Sequence, residues 1–489
     1  MQDPHLEPKT VEWLESARRI PAEIAAQCGV VTMHGWPAFE YRRNGRLQYV
    51  KARREDQSDK SFYRVPAKTD TCLFLEDRIE TDPDLSSPLV ICEGEIDALS
   101  LVAVGVPNVV SVPDGAQLEK VGDDRVVIEN DKAFSWLWGD DGLKPAIAQF
   151  DRFILAVDGD KKGRVLREEL AVRLQRWRCE FVTYPDGCKD ANDVLVKHGP
   201  EALAEVIANA KPMVPNRLVR FSDLPHVGTG EVYGSGFQGL DDDPIKLNVM
   251  APELIVVTGE PGSGKSEFAA VFGANLANYH GLPGAILQFE DRSSRVRDTL
   301  VRYAMSQVPS CKDSRQRAQE WVDQYFRTIE PEQNIDLDVD YNLEWLQSTL
   351  REARTRHGCR WAIIDPWNEL EHIWDRTQSE AVYTNDALRR IKRLSRAYQM
   401  IIFIVAHPSK EGGRVKEIAD LDLYCIAGSA AWNNKADHGI IVHRPDKSKQ
   451  DVYIKIAKSK DHMTMGRPGI VRMRYLIASA KYSFIGHGV

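Results

Sequence analysis

Apolar residues run along this chain in short stretches, and their spacing separates three blocks. Up to residue 86, strand-like runs such as 47–52 alternate with basic clusters, which predicts a small α+β subdomain. From 87 to 210, an apolar run (89–92) is followed by a helical stretch (96–104) and further runs at 109–112 and 153–157. Alternation of this kind predicts a small parallel sheet covered by helices. A helical pattern at 201–210 leads into a Pro-rich polar stretch, and a linker is expected over 211–232. The last block, 233–489, holds four buried-strand runs, 254–258, 284–289, 361–364 and 401–405, with helical patterns between them. That is the signature of a doubly wound α/β domain.

Composition narrows the picture without changing it. A chain of 489 residues exceeds what one core normally supports. Its 43% hydrophobic and 28% charged residues are ordinary for a globular protein. The net charge of −8 argues against a surface coated in nucleic acid, although DNA held in a confined channel responds to local sign rather than to the sum. Eight cysteines form no C-x-x-C pair, which excludes a zinc ribbon. Their scatter fits reduced thiols. The longest aliphatic runs, such as 401–406, fall short of a membrane span. The polar N-terminus shows neither a secretory signal nor a transit peptide. A cytoplasmic protein with no membrane partner is expected, in a bacterial cell or a phage-infected host.

The chemistry starts at Gly259-Glu260-Pro261-Gly262-Ser263-Gly264-Lys265-Ser266. Glycines between a strand (254–258) and a helix (267–277) free backbone N–H groups to wrap phosphates at the helix N-terminus. Lys265 adds charge on those phosphates, and Ser266 offers a hydroxyl to Mg²⁺. The loop therefore predicts ATP, or another NTP or dNTP, with Mg²⁺. A metal-holding carboxylate is expected at a strand end, and Asp365 follows the run 361–364. Glu290 ends another run and is placed to polarise an attacking water. His407 ends the run 401–406 as a polar group able to sense the γ-phosphate. The plainer alternatives are a helix-capping Asp365, a solvated Glu290 and a structural His407.

A second cluster of acids lies in the middle block. Glu93-Gly94-Glu95-Ile96-Asp97 follows one strand, and Asp158-Gly159-Asp160 follows another. Residues i and i+2 of a strand share a face, so Asp158 and Asp160 are expected to converge on one cation. Asp190, Asn192 and Asp193 add further groups. Carboxylates gathered at strand ends make a site for Mg²⁺ or Mn²⁺, suited to primer synthesis, strand cleavage or topoisomerisation. The alternative is a set of ordinary exposed turn acids.

Glu93-Gly94-Glu95-Ile96-Asp97, Asp158-Gly159-Asp160 and Cys188-Lys189-Asp190-Ala191-Asn192 resemble the Toprim domain of phage primase–helicases. The last block resembles their RecA-like helicase domain, shared with the DnaB and Twinkle helicases. The first block, with Ser16-Ala17-Arg18-Arg19-Ile20-Pro21-Ala22-Glu23 and Tyr41-Arg42-Arg43-Asn44-Gly45-Arg46, is similar to the basic subdomain that precedes Toprim. The implied fold is α/β: a Toprim domain (87–210) behind a basic subdomain (1–86), followed by a RecA-like P-loop NTPase domain (233–489).

The resemblance also implies roles. Glu290 looks like the catalytic carboxylate and His407 like the sensor that couples γ-phosphate to DNA. Asp365 would order Mg²⁺ through water. Glu93 would be the acid or base of the Toprim site, with Asp97, Asp158, Asp160 and Asp190 around its metals. Lys410, Lys416, Gly428 and Ser429 fall where the family grips single-stranded DNA. Where the family carries Lys-x-Arg, a finger reaching a neighbour's nucleotide, this chain reads Lys458-Ser459-Lys460. Lysine lacks the bidentate fork of arginine, so either these lysines act less strongly or Arg444 or Arg467 substitutes. The family's N-terminal zinc module has no counterpart here, which makes sequence-specific priming unexpected. The segment 117–149, with Trp136 and Trp138, is expected to be a packed hairpin rather than a platform for bases.

The function implied is a ring-forming replicative DNA helicase, a hexamer or heptamer on single-stranded and forked DNA, with polymerase and single-strand-binding protein as partners. The alternatives are a primase–helicase with active primer synthesis, and a Toprim nuclease or recombinase-like filament protein.

Overall fold

The structure, a computed structural model, describes all residues except 1–5, 54–61, 68, 115–117, 122–124, 129–133, 140–141, 214–230, 291, 308–312, 330–339, 373–378, 410–416, 427–428 and 489. It separates into two compact units, Met1–Leu224 and Pro225–Val489.

The first unit carries two main sheets. Strands β1 (Val30–Met33), β2 (Trp36–Arg43), β3 (Arg46–Arg53) and β4 (Phe62–Val65) form an antiparallel sheet in chain order. A second sheet is built from β5 (Leu89–Cys92) and β6 (Val109–Ser111), and two short hairpins follow it in the chain. These pair β7 (Leu118–Val121) with β8 (Arg125–Ile128), and β9 (Trp138–Gly139) with β10 (Gly142–Leu143). Trp136 is buried with Phe134 and Leu137 in the core below this sheet, so its ring is not a platform for bases. The second sheet resumes with β11 (Phe153–Ala156), β12 (Cys179–Phe181) and β13 (Lys211–Pro212), in the order β13-β12-β11-β5-β6. All pairs are parallel except β12 with β13. The strand β13 corrects the expected linker: residues 211 and 212 pair with β12, and Met213 is buried. Two residues including a proline carry too little pattern to read as a strand.

In the second unit a short pair, β14 (Tyr233–Gly234) with β15 (Asn248–Val249), precedes a nine-stranded sheet. That sheet contains β16 (Glu253–Thr258), β17 (Gly284–Gln288), β18 (Phe326–Thr328), β19 (Trp361–Asp365), β20 (Ile401–Ala406), β21 (His438–His443), β22 (Asp451–Ser459), β23 (Gly469–Leu476) and β24 (Lys481–His487). The order is β18-β17-β19-β20-β16-β21-β22-β23-β24. Strands from β18 to β21 run parallel, and β22 to β24 continue as an antiparallel meander. The four runs read from the sequence are β16, β17, β19 and β20. They are continuous because both faces are covered, as parallel strands require.

Trp361 fixes where these strands begin. Its Nε1–H donates to the Leu282 carbonyl at 2.9 Å. A Cβ at Gly284 would stand 2.1 Å from the indole, and one at Gly273 2.4 Å. Only glycine lets β17 and the helix Lys265–His280 approach that ring. The same strand that starts at Trp361 ends at Asp365, so this packing sets the position of the carboxylate. No helix among the described residues is long and apolar enough to cross a membrane.

Candidate functional sites

Because β16, β17, β19 and β20 are parallel, their C-terminal ends open on one edge, where ligands of α/β sheets bind. The loop after β16 is shaped by glycines. Gly262 and Gly264 lie at φ +74° and +92°, and a Cβ at Gly259 would meet the Val442 carbonyl oxygen at 2.0 Å. Lys265 is folded back, its Nζ donating to the carbonyls of Gly259 at 3.0 Å and Glu260 at 3.1 Å. Burial lowers its pKa, opposed by the charges of Asp365 and Glu290.

Ser266 and Asp365 line one pocket beside the phosphate loop. Asp365 is only 3% exposed, and burial raises its pKa to about 6 against the opposing effects of Ser266 and Lys265. A hydroxyl beside a buried carboxylate is an oxygen donor set that fits Mg²⁺. Glu290 and His407 face each other across the same edge, Oε2 to Nε2 at 3.6 Å. Burial and the charge of Lys265 lower the His407 pKa, against the raising effect of Glu290. The His407 backbone N–H donates to Asn368 Oδ1 at 3.1 Å, which ties the end of β20 to the segment after β19.

Arg444 follows β21 directly and donates to the Lys449 carbonyl at 2.7 Å. In the same turn Lys447 reaches the phosphate loop, its Nζ donating to the Pro261 carbonyl at 2.8 Å. Sequence reasoning missed Lys447. A lone basic residue in a β-turn carries no signal until β21 is known to pair with β16. Lys458 and Lys460 lie elsewhere. Strand β22 is antiparallel to β21, and Ser459 pairs with His438, the first residue of β21. Both lysines therefore sit at the edge opposite their own phosphate loop. Lys410, Lys416 and Gly428 lie outside the described residues, while Ser429 opens the helix Ser429–Lys435.

The acids of the first unit gather at the C-terminal ends of β5 and β11. One carboxylate oxygen from each of Asp97, Asp158 and Asp190 lies within 4.8 Å of the other two. Burial and then the charge of Glu93 raise the Asp158 pKa to about 7. Burial, reinforced by Asp190, raises that of Asp97 well above its usual value. Lys189 Nζ stands 3.2 Å from Asp190 and 3.8 Å from Asp158. Several crowded carboxylates against one lysine leave negative charge that a hard cation would neutralise, so these residues fit Mg²⁺ or Mn²⁺.

One expectation needs correction. Strand β11 ends at Ala156, so Asp158 and Asp160 do not share a strand face. Asp160 caps the helix Lys161–Arg173 instead, accepting from Gly163 N–H at 2.9 Å. Glu95 takes the Tyr41 hydroxyl and Lys51 Nζ, each at 2.6 Å. It anchors the four-stranded sheet rather than joining the triad. Asn192 braces the site: its N–H donates to Asp97 Oδ1 at 3.0 Å and its Nδ2 to the Arg18 carbonyl at 3.0 Å.

Comparison with known proteins agrees with both halves. The family model described as an AAA domain matches residues 243–413. The Twinkle homolog protein, chloroplastic/mitochondrial, of Arabidopsis thaliana is 33% identical over 440 residues, 83% of this chain and 58% of that protein. A primase homolog protein of the same plant is 39% identical over 182 residues, covering 36% of this chain and 50% of that one. This chain thus spans less than two thirds of either plant protein's length. The DNA helicase/primase of Enterobacteria phage T3 is 26% identical over 461 residues, 88% of this chain and 75% of the phage protein. Among solved structures, a DnaB-like replicative helicase aligns with 51% of this chain and 63% of its own, at 17% identity and a TM-score of 0.42. With a phosphate loop in one unit and a carboxylate triad in the other, the chain is similar over most of its length to Twinkle-like primase–helicases.

Proposed function

We propose that this protein is an NTP-driven, ring-forming replicative helicase that translocates on single-stranded DNA. One observation carries the reading: Lys265, Ser266, Asp365, Glu290 and His407 meet at one edge of a parallel sheet, in a chain that also holds the acid triad. The loop 259–266 and Lys265 bind the phosphates, while Ser266 and Asp365 hold Mg²⁺. Bound there, Mg²⁺ neutralises charge developing on the transferred phosphoryl group. Glu290 accepts a proton from the attacking water. His407, its Nε2 3.6 Å from Glu290 Oε2, registers whether the γ-phosphate is present and relays this to the segment after β20, where Lys410, Lys416, Gly428 and Ser429 follow the DNA backbone. Arg444 contacts the nucleotide from the adjacent turn.

In this reading residues 1–86, 87–210 and 233–489 are the basic, Toprim and motor domains. The protein acts as a hexamer or heptamer on forked DNA in the cytoplasm of a bacterial cell or phage-infected host, beside a polymerase and a single-strand-binding protein. Hydrolysis stimulated by single-stranded DNA and lost in Lys265→Ala tests the motor. Hydrolysis that survives this substitution contradicts it.

The Asp97–Asp158–Asp190 cluster favours a second activity on the same chain, primer synthesis. In that reading Glu93 is the acid or base, and primers form on relaxed template sequences. Ribonucleotide incorporation on single-stranded DNA that disappears in Glu93→Ala supports it, and product independent of Glu93 opposes it.

A further inference from the structure

The acid triad of the first unit is tied to a segment far from it in the chain. Asn192 lies in the first turn of the helix Ala191–His198, two residues after Asp190, which caps that helix by accepting the Asp193 N–H at 2.7 Å. The Asn192 N–H holds Asp97 Oδ1 at 3.0 Å. The other oxygen of Asp97 lies close to Gly94, where a Cβ would stand 2.8 Å from it. Asn192 thus sets two of the three carboxylates: Asp190 through the turn they share, and Asp97 through a direct bond.

The side chain of Asn192, 4% exposed, is fully engaged. Its Nδ2 donates to the Arg18 carbonyl at 3.0 Å and to Ser100 Oγ at 2.9 Å, and its Oδ1 accepts from Arg18 Nη1 at 3.1 Å. With both amide hydrogens and the oxygen taken, it is a brace rather than a cation ligand. A buried amide satisfied on every side has one orientation, and so has the turn that carries it.

Arg18 grips Asn192 with backbone and side chain together. The chain is irregular on both sides of it: Trp13–Ala17 is wound as a wide π turn, and Arg19 is left-handed at φ +55°. Such conformations persist where surrounding contacts enforce them. The Ile20 N–H closes the bend on the Leu14 carbonyl at 2.9 Å, and both side chains are buried. The Arg18 guanidinium lies 5.0 Å over the Trp13 ring. Further back, Lys9 lies 4.5 Å over the Trp36 ring, and Thr32 Oγ1 bonds to Thr10 Oγ1 at 3.0 Å. Residues 8–20 therefore form a strap from the antiparallel sheet to the triad.

We propose that Arg18 and Asn192 are positioning residues of the triad, and that the strap 8–20 and a divalent cation at Asp97, Asp158 and Asp190 stabilise one another. The strap holds two carboxylates in place against their mutual repulsion. The cation removes that repulsion and so steadies the turn on which the strap is seated. Coupling of this kind is reciprocal. The inference rests on the reading of the triad as a site for Mg²⁺ or Mn²⁺.

The test uses the full chain without nucleotide and Mn²⁺ as the probe. Free Mn²⁺ is measured by electron paramagnetic resonance, with Asp158→Asn as the blank for the site. Arg18→Met and Asn192→Ala are each expected to weaken the Asp158-dependent binding about tenfold, the lower end of what outer-shell partners contribute. Arg18→Lys, which keeps a donor for Asn192 Oδ1, should recover most of that loss. A second readout leaves the brace unaltered. In the wild type, Mn²⁺ should slow amide hydrogen exchange at residues 13–20 about tenfold, and in Asp158→Asn it should not. Asp158-dependent binding of equal strength in wild type, Arg18→Met and Asn192→Ala overturns the proposal, whatever their melting temperatures. So does wild-type exchange at 13–20 that Mn²⁺ leaves unchanged while it binds. Wild-type binding equal to that of Asp158→Asn would instead defeat the cation reading itself, and the proposal with it.

Discussion

Lys447 Nζ donates to the Pro261 carbonyl at 2.8 Å, so the turn between β21 and β22 is latched onto the crest of the phosphate loop. Its side chain lies over Gly262. A hydrogen bond from a charged donor is worth roughly 1.5–3 kcal/mol when protected, and Lys447 is exposed. We discount it to about 1 kcal/mol, or roughly fivefold in affinity. Lys447→Ala should raise the Kd for a fluorescent ATP analogue by about that factor. A Kd equal to wild type would show that the latch does not shape the loop.

Glu290 stands beyond β17, with its carboxylate free to reach solvent near the γ-phosphate position. Glu290→Gln keeps shape and removes the base. Hydrolysis should fall by a factor of about 10² or more, with nucleotide affinity within about twofold of wild type. Comparable turnover in Glu290→Gln would remove Glu290 from the chemistry.

Asp158 gives a pH signature. Its folded pKa of about 7 lies above the unfolded carboxylate value near 3.9. Folding therefore favours the protonated form. The relative stability this confers is complete below about pH 4 and is lost as pH rises to about 7. Above pH 7 the crowded, ionised group is a liability. In EDTA, Asp158→Asn should raise the melting temperature by about 2–4 °C at pH 8, and by much less at pH 4.5. An equal shift at both pH values would mean that charge crowding is not the cause.

Trp361 leaves no room at Gly284, where an added Cβ would stand 2.1 Å from the indole. Gly284→Ala forces β17 or the ring to move, at a cost of about 1–3 kcal/mol. Urea unfolding should register that loss in the second unit. Nucleotide affinity should fall too, because Trp361 and Asp365 belong to one strand. A neutral substitution would contradict the packing argument.

Much of this was legible in the residues, for definite reasons. The loop 259–266 announces itself because its glycines are demanded by backbone geometry, and the runs that end in Asp365 and Glu290 are continuous because both faces are buried. Strands β22 to β24 were not foreseen. In Val452, Ile454 and Ile456 apolar residues alternate with Tyr453 and Lys455, a half-buried pattern that differs from the continuous runs sought elsewhere. Asp160 misled because D-x-D implies a shared strand face only if the strand extends that far, and β11 stops at Ala156. Lys447 and Asn368 depend on which strands become neighbours.

The most direct test of the account is unwinding of a forked DNA duplex by the full chain with ATP and Mg²⁺, beside Lys265→Ala. The account predicts strand separation by the wild type and none by the variant. A wild type that hydrolyses ATP without separating the fork, or a Lys265→Ala protein that separates it, would contradict the account.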